Sequence, residues 1–441
     1  MKNIYDDLMN ADHESNSRFV GQHNLSFKAF KFSIWSFLIA LIATQKVVIG
    51  GEIYIGEFFS IVYLIYKYKN LKFSFIEKQF FLFALIFALA QLLSDIVNNV
   101  DVGDSIKGVL APVVFSLTIL GFITYFRVNI NRMPSFLLGI NFGILLGIIF
   151  WPDLYAQGNP WKWGLGSTLL GLFIVYFSFF EKKKNNVILF MVLMLFFAVS
   201  LYFGGRSMAV FPLISALIYI KFHTNKVSSS STRLSGKFSG LKILLIVLPF
   251  LFVVNAGASA FFSSPMVLSN FSNEAAAKYR AQASGAYGIL LGGRSEILVS
   301  GQAFLDKPLL GHGSWAKDKS GYLDEYSILR YRLGYSLRED GQIEDSGSGL
   351  LIPAHSYLMG AFVWAGLFGG LFWIVVLNNV IKVFIKNLNF LPLYFYVGVI
   401  SFIWAVFFSP FGASGRWGAS IFLASLFSYV NFLKTNRIDV K

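Results

Sequence analysis

The stretch "GLLIPAHSYLMGAFVWAGLFGGLFWIVVL", Gly349–Leu377, decides the fold class. An irregular, charged region ends in Ile352, Pro353, Ala354 and His355, and from Tyr357 to Ile381 no charged residue follows. About 20 apolar residues in a row cross a ~30 Å hydrocarbon core as a helix. The stretch therefore reads as a membrane span with an imidazole at its lip.

The same signature recurs outward from it, near 32–48, 52–67, 79–97, 107–126, 134–151, 163–180, 187–203, 207–221, 241–258, 356–378, 391–408 and 417–433. Over 441 residues the chain is 56% hydrophobic and 14% charged, with a mean hydropathy of +0.62. That is too apolar for a soluble domain, and β-barrel strands would be shorter and would alternate in polarity. The expected fold class is an all-α integral membrane protein of about twelve transmembrane helices, with one large loop containing short helices. The expected divisions are a tail at 1–31, helices one to nine at 32–258, the loop at 259–355, helices ten to twelve at 356–433 and a tail at 434–441.

The opening residues "MKNIYDDLMNADHESNSRF" lack the basic start and short apolar core of a cleaved signal peptide, so the first span is expected to stay in place. Cysteine is absent, which removes disulfides and thiolate metal sites.

The net charge of +14 is not spread evenly. Lys67, Lys69, Lys72, Lys78, Arg127, Arg132, Lys182 to Lys184, Lys221, Lys226, Arg233, Lys237, Lys242, Lys382 and Lys386 fall in alternate connections. Such connections face the cytoplasm, and the pattern puts both termini there. The cations then meet anionic headgroups, so membrane lipids are the expected partner and nucleic acid is not.

Two connections are long. "KFHTNKVSSSSTRLSGKFSGLK" is Ser-rich and basic and reads as a flexible cytoplasmic linker. The other, from Gly257 to His355, lies on the opposite side and exceeds what neighbouring helices need, a length usual for functional loops. In it Ile297, Leu298, Gly301, Phe304 and Leu305 form a helical stripe suited to the membrane surface, closed by Pro308, Gly311 and Gly313. "DEYSILRYRLGYSLREDGQIEDSGSG" reads as a lid or as a solvated segment.

Four positions on the loop side combine charge with a glycine-rich approach: Arg206 in "YFGGRSMAVF", Arg294 in "LLGGRSEILV", His355, and Arg416 in "SPFGASGRWG". Ionisable groups at membrane depth are costly and tend to face a cavity or a partner. Plainer readings stand beside this. Arg416 next to Trp417 reads as an arginine snorkelling to headgroups. Arg206 fits that role less well, because Gly204 and Gly205 permit unusual dihedrals. His355 could cap the tenth helix, and His312 in "GHGSW" is its nearest rival. Arginine forks suit a diphosphate, and an imidazole, titrating near 6.5 when unperturbed, suits a general base. No carboxylate pair shows a trusted metal-ligand spacing, so no metal or cofactor is expected.

At these residues the chain resembles the bacterial O-antigen ligase and polymerase superfamily. The likeness rests on "GGRS" at 204–207, "GGRSEILVSGQAFLDKPLLGHG" at 292–313 and "AHSYLMGAFVWAGLFGG" at 354–370, with Ser356 where the family usually has Asn. The resemblance implies a metal-independent glycosyltransferase in the bacterial cytoplasmic membrane, with its active site facing the periplasm. Its donor would be a glycan on undecaprenyl diphosphate and its acceptor a glycan or lipid A core. On that resemblance Arg206 and Arg294 would hold the diphosphate, and His355 would activate the acceptor hydroxyl with inversion at the anomeric carbon. Ligase-type transfer is the first expectation and polymerase-type transfer the second. A polysaccharide transporter or flippase is the competitor from another class, although the two halves show no similarity of the kind such folds carry.

Overall fold

The computed structural model describes residues 30–48, 50–181, 185–224, 257, 259–285, 288, 292, 296–334 and 351–438. It is all-α apart from one hairpin. In chain order come α1 (Ile34–Ala43), β1 (Lys46–Val48), β2 (Glu52–Tyr54), α2 (Ile55–Tyr66), α3 (Phe75–Asn98), α4 (Val102–Val128) and α5 (Arg132–Phe150). A π turn at Trp161–Leu165 then leads into α6 (Gly166–Phe179), followed by α7 (Asn186–Tyr202) and α8 (Arg206–Thr224). The loop region supplies α9 (Asn273–Ala283), α10 (Glu296–Asp306) and α11 (Tyr322–Arg332). The chain closes with α12 (Tyr357–Asn387), α13 (Leu393–Phe408) and α14 (Ala413–Ile438).

Among the described residues, five helices are long and apolar enough to cross a membrane: Phe75–Asn98, Val102–Val128, Arg132–Phe150, Trp161–Phe179 and Tyr357–Phe390. Large apolar side chains remain exposed around the bundle, among them Trp35, Leu89, Ile96, Leu195 and Leu217, as a lipid-facing surface requires. The ninth expected span, 241–258, apart from Gly257, the basic linker beyond residue 224 and most of the N-terminal tail lie outside the described residues.

The first two expected spans differ from the reading of the sequence. At 10 and 12 residues, α1 and α2 rise only roughly 15 and 18 Å. The missing length is the antiparallel hairpin β1–β2, in the register Lys46↔Tyr54, Val47↔Ile53 and Val48↔Glu52, with Gly50 at φ +65°. The physical reason is local: β-branched and aromatic residues flank Gly-Gly, and a Lys46–Glu52 ion pair of 3.1 Å ties the strands.

Helix order and cross-contacts give the bundle two distinct ends. Gln79 meets Asn379 and Phe87 packs on Phe372, so α3 and the part of α12 after Gly366 run antiparallel. Phe211 packs on Trp404 and Tyr219 on Tyr396, so α8 and α13 do too. One end therefore carries the hairpin, the starts of α8, α12 and α14, and the loop region. The other carries the Lys- and Arg-rich connections.

The loop region folds onto its end as two small cores. Phe262, Leu268, Tyr279 and Ala283 pack against Leu201, while Val299, Ala303, Tyr322, Ile352 and Val363 form the second. The helix expected after residue 296 is present, yet its packed face is Glu296, Val299, Ser300 and Ala303. Of the expected stripe, Ile297, Leu298, Gly301 and Phe304 are half-buried, Phe304 against Phe362 with ring centres 4.5 Å apart, and Leu305 is 68% exposed. The start of the expected lid or solvated segment is helical in α11, and residues 335–350 lie outside the described residues.

Gly366 does more than let helices approach. At φ +60° and ψ −150° it breaks α12, a conformation essentially confined to glycine. The break frees backbone groups that the "PLLGHG" segment takes up: His312 N–H donates to Val363 O (2.7 Å), Gly313 N–H to Trp364 O (3.0 Å), and Leu367 N–H to Pro308 O (2.8 Å). Gly311 and Gly313, also at positive φ, allow the segment to lie against the broken helix. The two glycine motifs, some 50 residues apart in sequence, are thus halves of one joint.

Candidate functional site

Ser356, not His355, caps α12. Its hydroxyl accepts from Met359 N–H (3.0 Å) and donates to Val406 O in the last turn of α13 (2.8 Å). Ser356 is buried, whereas His355 beside it is exposed and its ring makes no hydrogen bond among the described residues. The capping reading of His355 is therefore replaced by one in which a serine anchors the helix and leaves the imidazole projecting at the loop end.

His312 takes a structural place. A ring nitrogen lies 2.8 Å from Ala303 O, where it donates in the matching tautomer, and the ring sits edge-on to Tyr322 at 5.7 Å. Burial holds this imidazole below the usual histidine range. Tyr322 donates to Asp306 (2.7 Å), and burial together with that carboxylate pushes its hydroxyl up to about 12. Of the two histidines, His355 is the one presented to solvent.

Arg206 opens α8 after the tight break expected from "FGGRS". Gly204 lies at φ +78°, and Gly205 N–H returns to Ser200 O at 2.7 Å. The Arg206 guanidinium bonds the Gln282 amide and lies over the Tyr279 ring, 5.2 Å from its centre. Helix α9 thus steers the arginine by an amide and an aromatic face, while Tyr279 OH is itself fixed on Leu201 O at 3.1 Å. The starts of α8 and α12 lean on the same turn of α13, through Phe211–Trp404 and Ser356–Val406. Arg294, the second expected diphosphate ligand, lies outside the described residues.

Arg416 does not snorkel. Its Nε and Nη2 donate to the two oxygens of Glu57 (2.7 and 2.9 Å), and Nη2 also reaches Glu52 O (3.1 Å). Glu57 is fully buried and in turn accepts from Tyr54 N–H (2.9 Å). The pair bolts α14 to α2 and the hairpin beside the start of α12, since a Cβ on Gly415 would stand 2.8 Å from the Tyr357 hydroxyl. Removing one partner of a buried pair strands the other charge, at a cost of about 3–5 kcal/mol. Arg416→Ala and Glu57→Ala are each expected to lower the melting temperature in detergent markedly; a shift within error for both would show that the pair is not buried in the membrane-inserted protein.

Three buried acids were missed by the reading of the sequence: Glu77 at the start of α3, which pairs with Arg127 (2.7 Å), and two inside expected spans. Glu57 lies in the apolar run 52–67, and Asp95 in 79–97. A charged residue in such a run was itself the available signal. Asp95 accepts from Ser314 N–H (2.6 Å) and Ser314 OH (2.8 Å), with Gln91 Nε2 at 3.1 Å, and so pins the loop joint to α3.

A cavity of about 300 Å³ lies at the other, basic end, lined by Phe75, Ile76, Glu77, Phe427, Asn431 and Lys434 among others. Among the described residues, no group of three or more His, Asp or Glu side chains is arranged to hold a metal ion. Comparison with protein-family models, with curated proteins and with solved structures finds no match.

Proposed function

We propose that the chain is an O-antigen ligase-type membrane glycosyltransferase that moves a glycan from undecaprenyl diphosphate to an acceptor hydroxyl. The reading takes the chain as a bundle of about twelve spans in the bacterial cytoplasmic membrane, with the loop end in the periplasm because the basic connections gather at the other. The observation that carries it is the division of labour at the start of α12: Ser356 does the structural work, and His355 stands exposed on the end that also bears Arg206.

In this reading His355 takes the proton of the acceptor hydroxyl as its oxygen bonds to the anomeric carbon. The bond from that carbon to the diphosphate oxygen breaks on the opposite face, which inverts the centre. Negative charge grows on the leaving undecaprenyl diphosphate, where the Arg206 fork stabilises it. Arg294 joins Arg206 by the resemblance alone. No metal or cofactor is invoked.

Deleting the gene and reading the surface glycans tests the proposal. Loss of long glycan from lipid A with lipid-linked polymer retained is the expected result. Single repeat units in its place would assign polymerase-type transfer instead, and an unchanged glycan profile would refute both.

A further inference from the structure

We infer that Lys278 and Gln282, on the flank of α9 that holds Arg206, bind the donor's diphosphate together with that arginine. This rests on the glycosyltransferase reading and adds to it a second cation and a neutral hydrogen-bond donor at the leaving group.

The bond between Arg206 and Gln282 fixes more than the arginine. A guanidinium has no acceptor, so the amide must turn its oxygen toward it. The amide nitrogen is thereby set to one side, and its two hydrogens meet no acceptor among the described residues. A carboxylate in this place would hold Arg206 equally well, but it would neutralise the guanidinium and offer an anion no hydrogen. An amide aims the arginine, leaves its charge, and adds donors beside it.

Helical geometry decides which neighbours share that flank. At about 100° per residue, Gln282 stands about 60° to one side of Tyr279 and Lys278 about 100° to the same side, with Arg280 about 100° to the other. The Arg206 guanidinium lies over Tyr279 and bonds Gln282, so it sits on the Lys278 side of the helix. Lys278 and Gln282 are one turn apart, a spacing that puts their Cβ atoms about 5–6 Å from each other. Lys278 is half-buried, whereas Arg280 is exposed.

The helix that carries the set is fastened to the arginine's own corner. Tyr279 is fully buried, its ring centre 4.4 Å from that of Phe262 and its hydroxyl on Leu201 O. The Ser272 hydroxyl caps α9 by accepting from Ala275 N–H (3.3 Å) and donates to Tyr202 O (3.2 Å). Leu201 and Tyr202 close α7, just before the break that leads to Arg206. The donors are thus held in place before an anion arrives. A diphosphate spreads its charge over two phosphoryl groups. The arginine fork suits one, and a lysine, a compact charge with three donors, suits the other.

The test uses the purified full-length protein and two probes. One is inorganic pyrophosphate, read by melting temperature; the other is lipid-linked glycan extracted from the deletion strain and titrated in the transfer reaction. Pyrophosphate is expected to raise the melting temperature of the parent and of Arg280→Ala, and to leave Lys278→Met and Gln282→Glu where they were. In transfer, Lys278→Met and Gln282→Glu are each expected to raise the donor KM about tenfold with the acceptor KM unchanged, and Lys278→Arg to restore most of the affinity. Without ligand Lys278→Met is expected to melt with the parent; a marked fall would make Lys278 a packing residue and overturn its role. A donor KM unchanged in both variants, or raised equally in Arg280→Ala, would overturn the site while leaving the transfer reaction in place. A parent that answers to pyrophosphate in this pattern yet releases no undecaprenyl diphosphate would support the anion site and remove the glycosyltransferase reading beneath it.

Discussion

Replacing His355 by alanine is expected to reduce glycan transfer by about 10²–10⁴-fold, the usual contribution of a positioned general base, and to leave the protein inserted and abundant. The second half of that expectation follows from the structure. The cap of α12 belongs to Ser356, which also ties the helix to α13, and the exposed ring of His355 makes no hydrogen bond among the described residues. Truncating an exposed side chain of this kind changes stability by about 0.5 kcal/mol or less. Ser356→Ala is the mirror image, since losing an N-cap costs about 1 kcal/mol and here a second hydrogen bond goes with it. Transfer rates of the two variants, read with their abundance in membranes, decide the matter. Normal transfer by His355→Ala would remove the imidazole from the mechanism.

The largest expected structural effect is at Gly366. A Cβ there would lie 2.2 Å from Leu309 O, and the residue holds φ +60° and ψ −150°. Gly366→Ala therefore meets a backbone clash, incurs about 1–3 kcal/mol of dihedral strain, and disturbs the three hydrogen bonds joining α12 to the 308–313 segment, each worth about 1 kcal/mol. The sum, on the order of 4 kcal/mol or more, is a large part of a typical stability. Gly360 on the same helix is the control, because a Cβ there meets nothing closer than 3.6 Å. Gly360→Ala is expected to melt with the parent, and Gly366→Ala to melt far below it or to fail to accumulate. Equal melting of the two would mean that α12 is not broken at Gly366.

How far the sequence alone could reach depends on whether a feature is local. Apolar runs and the placement of Lys and Arg marked most helices and the two ends of the bundle, because hydropathy and charge are properties of a single segment. The tight break before Arg206 was legible for the same reason. The hairpin at Lys46–Tyr54 was not, since a short apolar run with β-branched residues fits strand and helix alike. The Glu57–Arg416 pair joins residues 359 positions apart, so no local pattern announces it, though the carboxylate within an apolar run was visible. The break at Gly366 was not legible because its partner segment, Leu309 to Gly313, arrives from the loop.

The central claim is that this chain itself breaks the bond between a glycan and undecaprenyl diphosphate. The most direct measurement is the release of undecaprenyl diphosphate when the purified protein is mixed with lipid-linked glycan and acceptor from the deletion strain. The account predicts one undecaprenyl diphosphate released for each glycan transferred by the parent protein, with neither product from His355→Ala. No release by the parent, or equal release by His355→Ala, would contradict it.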